Sequence, residues 1–242
     1  AYVGERSDAA NWIICDANFG ILPRDIELAK AIRAVHDAHD APKNVQTWLA
    51  KNTTELNLII GEILGDMAVA NMAVQSMDDE VLENIKRSNI SIKAYAMYQQ
   101  KFHRIGYRTS SDVIVPLPAE TLQSHLSGLR TLIDLGVDEI ANHNMRLLAG
   151  AETNSQETRE RFQFHTLYRL IHGDAGEYKT PDGEMIRAFE YEESLRSTNT
   201  MSEADLFWLR KLHFLIDFCW NIEVYRPLLS LGHLYEINPI DA

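Results

Sequence analysis

Between Trp12 and Leu148, short apolar runs alternate five times with helical patterns, and this alternation constrains the fold more than any other feature. The runs are Trp12–Cys15, Val45–Leu49, Ala68–Val74, Asp112–Pro118 and Asp138–Leu148. Between them lie stretches with apolar residues at i, i+3/4 and i+7, the spacing of a helix face laid on a sheet. Leu28, Ala31, Ile32 and Val35 mark the first face, after the polar turn Asp16–Gly20. Leu56, Ile59, Ile60, Ile63 and Leu64 mark the second, capped by Thr53 or Thr54, with the strand before it ending at Lys51-Asn52. Asp78 caps a short helix with Val81, Leu82 and Ile85 inward, and Ser91 caps another through Tyr95, Tyr98 and Phe102 to a stop at Gly106. Glu120-Thr121 opens a helix with Leu122, Leu126, Leu129, Leu132 and Ile133 on one stripe, stopped by Gly136.

Strand–helix alternation of this kind predicts an α/β fold with parallel strands and right-handed crossovers. Five units are too few for a closed eight-stranded barrel, so the expectation is a partial (β/α) barrel. From Ser155 onward the chain reads as mostly helical, interrupted by a surface loop or hairpin over Gly173–Gly183. The expected division is a barrel core over residues 1–152, its first βα unit missing, and a helical C-terminal region over 153–242 packed on it.

Composition narrows the function classes. A formal charge of −12, with no run of Lys or Arg longer than two, argues against nucleic acid and anionic membranes as partners. Cys15 and Cys219 form no C-x-x-C pair, so the chain carries no thiolate metal motif, and Cys15 reads as a core residue of a buried strand. The most apolar stretch, Leu206–Trp220, contains Arg210, Lys211, His213 and Asp217 and reads as a buried helix. A cytoplasmic protein is the expectation.

In parallel α/β folds, chemistry collects beyond the carboxyl ends of the strands. Those positions hold Asp16 and Asn18, Gln46 and Asn52, Gln75 and Ser76, Pro116–Glu120, and Asn144 with Arg146. Each has a plainer reading. Asp16 and Asn18 are turn formers, Gln75-Ser76 precedes a helix cap, and Glu120 is a first-turn acid favoured by the helix dipole. His36 and His39 flank Asp37 on a solvated face. The set describes a polar mouth suited to a small molecule.

Four blocks in order resemble the radical S-adenosylmethionine (SAM) superfamily, most closely the group usually fused to a cobalamin-binding domain. They are Ile14-Cys-Asp-Ala-Asn-Phe-Gly20, Val74-Gln-Ser-Met-Asp78 with Ile85-Lys-Arg87, Asp112-Val-Ile-Val-Pro-Leu-Pro-Ala-Glu-Thr121 and Met145-Arg-Leu-Leu-Ala-Gly-Ala-Glu152. The resemblance implies a partial (β/α)6 barrel and reductive cleavage of S-adenosylmethionine by a 4Fe-4S cluster. The resulting 5′-deoxyadenosyl radical abstracts a substrate hydrogen, and cobalamin-dependent members transfer methyl groups. Carried over position by position, it places Asp16, Asn18, Gln75, Ser76, Arg87 and Asp112 around S-adenosylmethionine, carboxylates toward ammonium and ribose and the guanidinium toward the carboxylate.

The family's C-x3-C-x2-C cluster motif is absent, and the chain begins Ala-Tyr-Val-Gly. The chain therefore reads as a later part of a longer protein, inactive by itself, with the cluster-bearing segment and any cobalamin domain upstream. In the block where the family usually reads Gly-Leu-Pro-Gly-Glu-Thr, Pro116 and Ala119 replace the glycines. Two other readings follow from these departures: a cluster-free barrel serving as a binding or scaffold subunit, or a barrel enzyme using Asp16, Asp112 or Glu120 in acid–base chemistry. The substrate, a small molecule or a peptide, is not legible.

Overall fold

A computed structural model describes residues 2–16, 18–48 and 55–241. The expected strand end at Lys51-Asn52, the caps Thr53 and Thr54, and Leu49 lie outside the described residues.

Among the described residues, five parallel strands run in sequence order: β1 (Asn11–Ile13), β2 (Asn44–Gln46), β3 (Ala70–Asn71), β4 (Thr109–Val115) and β5 (Glu139–Asn144). They form two ladders, β1–β2 and β3–β4–β5, and no ladder joins β2 to β3 among the described residues. Val45 of β2 and Ala70 of β3 nonetheless share one buried core with Val113 and Ile140. The connections are helical: α1 (Arg24–His39), α2 (Glu55–Leu64), α3 (Asp79–Asn84), α4 (Ile92–Arg104) and α5 (Leu122–Asp134). This is an α/β fold with parallel strands, as the alternation predicts.

Local chemistry sets the helix starts. The Asp78 carboxylate accepts the Val81 N–H at 3.0 Å, and Ser91 Oγ accepts the Ala94 N–H at 3.2 Å. Thr121 and Ser124 cap α5 reciprocally, each side chain taking the other's backbone N–H at 3.0 Å. Each cap satisfies donors left over at a helix start and contributes about 1 kcal/mol.

Strand β4 shows why the sheet has two unlike faces. Thr109, Ser111, Val113 and Val115 are buried beneath the helices, whereas Ser110, Asp112 and Ile114 sit half-buried on the other face. The buried hydroxyls are satisfied: Ser111 Oγ donates to the Met72 carbonyl at 3.1 Å, and Thr109 Oγ1 to Asp138 at 3.0 Å.

Several expectations are corrected. Strand β1 is half-buried rather than buried, because among the described residues it pairs only with β2 and one face lies open: Trp12 and Ile14 pack on the core while Ile13 and Cys15 are exposed. The buried face of α1 is Asp25, Ala29, Ile32 and Val35, rotated from the expected stripe so that Leu28 and Ala31 face outward. The same rotation in α2 buries Asn57, Leu58, Ile60, Gly61 and Leu64 and exposes Ile59.

The largest departure lies beyond Ser155. After α6 (Gln156–Arg161), residues expected to be mostly helical form a long antiparallel hairpin, β6 (His165–Lys179) and β7 (Met185–Ser197). Its turn is Thr180-Pro-Asp-Gly183, with Gly183 at φ +92°, so of the loop or hairpin expected over Gly173–Gly183 the hairpin forms, its loop confined to the tip. The hairpin's base continues the sheet: Leu147 N–H donates to the Glu193 carbonyl at 2.9 Å, and Leu195 N–H to Met145 at 3.2 Å. Helix α7 (Glu203–Leu215), a π-helical turn over Ile216–Asn221 and α8 (Arg226–Leu231) then cover β5 and α5. No helix among the described residues is long and apolar enough to cross a membrane.

Candidate functional site

The unlike faces of β3–β5 create the polar concavity. Asn71, Ser110, Asp112, Glu139, Ala141 and His143 line a cavity of about 560 Å³ that reaches Asn44 and Gln46 on β2 and Trp48 just after it. On the other side of β5, Ser110, Asp112, Glu139, Ala141 and His143 also line a cavity of about 690 Å³, closed by His213, Phe214, Asp217, Asn221 and Ile222. Asp112 stands in both.

Asp112 is held by its neighbours. Asn71 Nδ2 donates to one carboxylate oxygen at 3.0 Å, and His143 Nε2 approaches the other at 3.4 Å. Burial alone pushes the Asp112 carboxyl up, but the hydrogen bonds of His143 and Asn71 and the charges of His143 and Arg87 outweigh it. Its net position is below the ordinary carboxylate range, an anion at neutral pH. The same hydrogen bond to Asp112 raises His143, against burial and the nearby Arg146 charge.

Gln75 and Arg87 sit close by in different ways. Gln75 has a left-handed backbone, φ 64°, and pairs with Val113 beside Asp112: its N–H donates to the Asp112 carbonyl at 2.9 Å and its carbonyl accepts from Ile114 at 2.9 Å. Arg87 opens on a separate cavity of about 670 Å³ between α3 and α4. Its Nη2 donates to the Ala73 carbonyl at 2.6 Å, while Asn89 Nδ2 donates to the carbonyls of Val74 and Ser76 at 3.1 and 2.8 Å. Arg87 and Asn89 thus clamp the loop after β3. Burial lowers the Arg87 pKa, and Asp112 opposes that shift through its charge. Ser76 is buried, and its hydroxyl accepts the Asp78 N–H at 3.2 Å, a turn-stabilising role.

Asp16 and Asn18 form an Asx turn after β1, the Asn18 N–H donating to Asp16 Oδ1 at 2.9 Å. No hydrogen bond or ion pair joins them to Asp112 among the described residues. His36 Nδ1 lies 2.8 Å from the Pro42 carbonyl, and no cluster of metal-ligating side chains occurs among the described residues.

Glu120 is not a simple first-turn acid. It precedes the cap of α5 and is 1% exposed, with Oε2 accepting the Leu117 N–H at 2.9 Å and Oε1 3.0 Å from His125 Nδ1. The sequence reading missed His125, His143 and Asn71. Their signal was present as polar residues inside otherwise apolar stripes, His125 among the leucines of α5 and Asn71 in Ala68–Val74.

No family model matches the chain. Over 224 residues, 89% of this chain and 32% of the relative, it is 30% identical to the cobalamin-dependent radical SAM methyltransferase TokK of Streptomyces tokunonensis. It is 31% identical over 222 residues to the 2-(S-pantetheinyl)-carbapenam-3-carboxylate methyltransferase of Streptantibioticus cattleyicolor, covering 88% of this chain and 32% of that protein. Among solved structures, the radical S-adenosylmethionine methyltransferase TsrM from Kitasatospora setae shares the fold, with a TM-score of 0.53 at 13% identity over 72% of this chain and 34% of that one. The chain is a homologue of the cobalamin-dependent radical SAM methyltransferases, and it spans about a third of the length of the curated relatives it matches.

Proposed function

We propose that this chain forms the S-adenosylmethionine-holding part of a radical SAM methyltransferase, its parallel strands arranged as a partial barrel around the cofactor. The observation that carries the reading is Asp112: a half-buried carboxylate kept anionic by His143 and Asn71 in a polar concavity, at a position the resemblance assigns to the cofactor. A carboxylate in that setting suits the ammonium or ribose hydroxyls of S-adenosylmethionine. Gln75 and Asp112 are backbone neighbours, so one contact surface holds both. Arg87 supplies positive charge from behind β3. Asp16, Asn18 and Ser76 complete the proposed set from the ends of β1 and β3. The domain division belongs to this proposal too, residues 1–152 holding the cofactor and 153–242 covering the substrate side.

The donor set fits S-adenosylmethionine and does not fit an iron–sulfur cluster. Cys15 follows β1 and Cys219 lies in the π-helical turn, so the chain's two thiols cannot form a three-thiolate set. The 4Fe-4S cluster and any cobalamin would be held elsewhere in the protein. The cluster would supply the electron that cleaves the sulfonium. The residues here bind and orient: Asp112 anchors a cationic or hydroxyl group, and its neighbours fix its direction.

The test uses the longest reading frame containing this segment, reconstituted without oxygen. Four irons per chain and 5′-deoxyadenosine release support the reading, with D112N weakening S-adenosylmethionine binding at least tenfold in calorimetry. No iron and no nucleoside would reassign the chain to a cluster-free relative, and unchanged affinity in D112N would remove Asp112 from the site.

A further inference from the structure

Four arginines gather where the hairpin meets the carboxyl end of β5, in a chain whose formal charge is −12. Arg146 follows β5 and is bridged through its backbone to Ser194 of β7, and Arg169 of β6 stands opposite Glu192 of β7. The buried Glu192 carboxylate takes one guanidinium on each oxygen: Arg146 Nε lies 2.9 Å from Oε2, and Arg169 Nε donates to Oε1. Both guanidiniums meet it through Nε, and their terminal nitrogens make no hydrogen bond among the described residues. Arg196 is occupied by Glu203, its Nε and Nη2 donating to Oε1 at 3.0 and 2.7 Å.

Arg210 of α7 is the odd member. It makes no hydrogen bond or ion pair among the described residues, and its Nε is buried without a partner. Burial and the charges of Arg196 and Arg169 push its pKa down, and Glu203 opposes them. A half-buried cation without a partner costs the fold free energy, and an anion between Arg210 and Arg169 offsets both the burial and the repulsion.

We propose that Arg146, Arg169 and Arg210 form a clamp at the carboxyl end of β5 that binds the phosphate monoester group of a small molecule. The charges select the ligand. Arg196 and Glu203 neutralise each other, and three guanidiniums against the Glu192 carboxylate leave two positive charges, the match of a phosphate monoester dianion. The geometry agrees, because Glu192 fixes the Nε edges of Arg146 and Arg169 and leaves their terminal forks for the paired oxygens of a phosphate. The Arg146 charge also acts on His143, which sets the clamp beside the concavity of Asp112.

The clamp rests on these side chains and not on methyl transfer, which iron content and nucleoside release test separately. Calorimetry of the longest reading frame containing this segment, titrated with methyl phosphate at low salt, reads it directly. Methyl phosphate should bind saturably, and acetate about tenfold or more weakly. R210Q and R169Q should each weaken methyl phosphate by about tenfold or more, the loss of a hydrogen-bonded charge. R187Q should not, since Arg187 pairs with Glu177 farther out along the hairpin. Because Arg210 holds nothing in the fold, R210Q should keep or raise the urea midpoint of the free protein. No saturable binding, equal affinity for acetate, or an equal loss in R187Q would overturn the clamp. A lowered midpoint in R210Q, or its failure to fold, would make Arg210 a structural residue and overturn it as well.

Discussion

His143 on β5 reaches diagonally back to Asp112 on β4, Nε2 to Oδ1 at 3.4 Å, across a parallel ladder that pairs His143 with Ile114 and Asp112 with Ala141. Each holds the other in its charged form: His143 is raised from 6.5 and Asp112 lowered from 3.8. D112N should return His143 toward its ordinary titration, read from its ring protons by NMR. The stability from His143 is fully present below pH 6.5 and lost as pH rises through its raised folded value. In D112N that alkaline loss should disappear from a series of melting temperatures. An unshifted His143 would mean that the pair is not formed in solution.

His213 predicts the opposite slope. Its folded value is about 3 against 6.5 for an unperturbed histidine, so between these values the unfolded chain binds the additional proton. Folding stability should fall as pH drops through that window, by as much as a few kcal/mol, because a tenfold change in proton affinity is worth about 1.4 kcal/mol. H213N removes the titrating ring and should flatten the melting-temperature profile between about pH 6 and 4, a range in which Asp112 and Asp138, both held below the ordinary carboxylate value, stay ionised. An unchanged acid slope in H213N would assign the loss to carboxylates instead.

Ala119 occupies a backbone shape that glycine prefers. In the turn Leu117-Pro118-Ala119-Glu120, the Glu120 N–H donates to the Leu117 carbonyl at 3.0 Å and Ala119 has φ 70°. Proline second and a positive φ third is the type II pattern. A left-handed alanine costs about 1–2 kcal/mol, and glycine gives back about 0.4–1 kcal/mol of that through a freer unfolded chain. A119G should therefore stabilise the protein by up to about 1 kcal/mol in urea titration, and a loss of stability would show that the alanine methyl packs usefully.

That turn also shows what the sequence carried. The replacement of the family's glycine by Ala119 was visible in the residues, but the retained φ was not, because it is set by Pro118 and the Glu120 hydrogen bonds. Strand–helix alternation was legible through β5 because each helix shows one apolar stripe. Which residues of α1 and α2 turn inward was not, since Leu28 and Ile59 are as apolar as Ile32 and Ile60. A hairpin was one of the two alternatives expected over Gly173–Gly183, but its full length was not legible, because its strands are held largely by each other and carry apolar residues on exposed faces, among them Leu167, Tyr168, Phe189 and Tyr191. At the site, Asp112 was legible, whereas His143, His125 and His213 come together only through contacts between distant elements.

Gly20 sets the direction of the chain after β1. It has φ +94°, and its N–H and that of Leu22 both donate to Asp25 Oδ2, at 2.9 and 3.1 Å. Asp25, 2% exposed, thereby folds the Asx-turn segment onto the start of α1. A Cβ on Gly20 would stand 2.3 Å from Asn57 Nδ2, on a helix whose Asn57 is itself 1% exposed. G20A therefore meets both backbone strain and a clash, and should cost about 2 kcal/mol, within the range of buried overpacking. Gly150 separates the two causes: its φ is +80°, yet nothing lies within 4 Å of the Cβ it would gain. G150A should show strain alone, about 1 kcal/mol. Equal losses in the two variants, measured by chemical denaturation, would mean that Asn57 moves aside and that only the backbone fixes the turn.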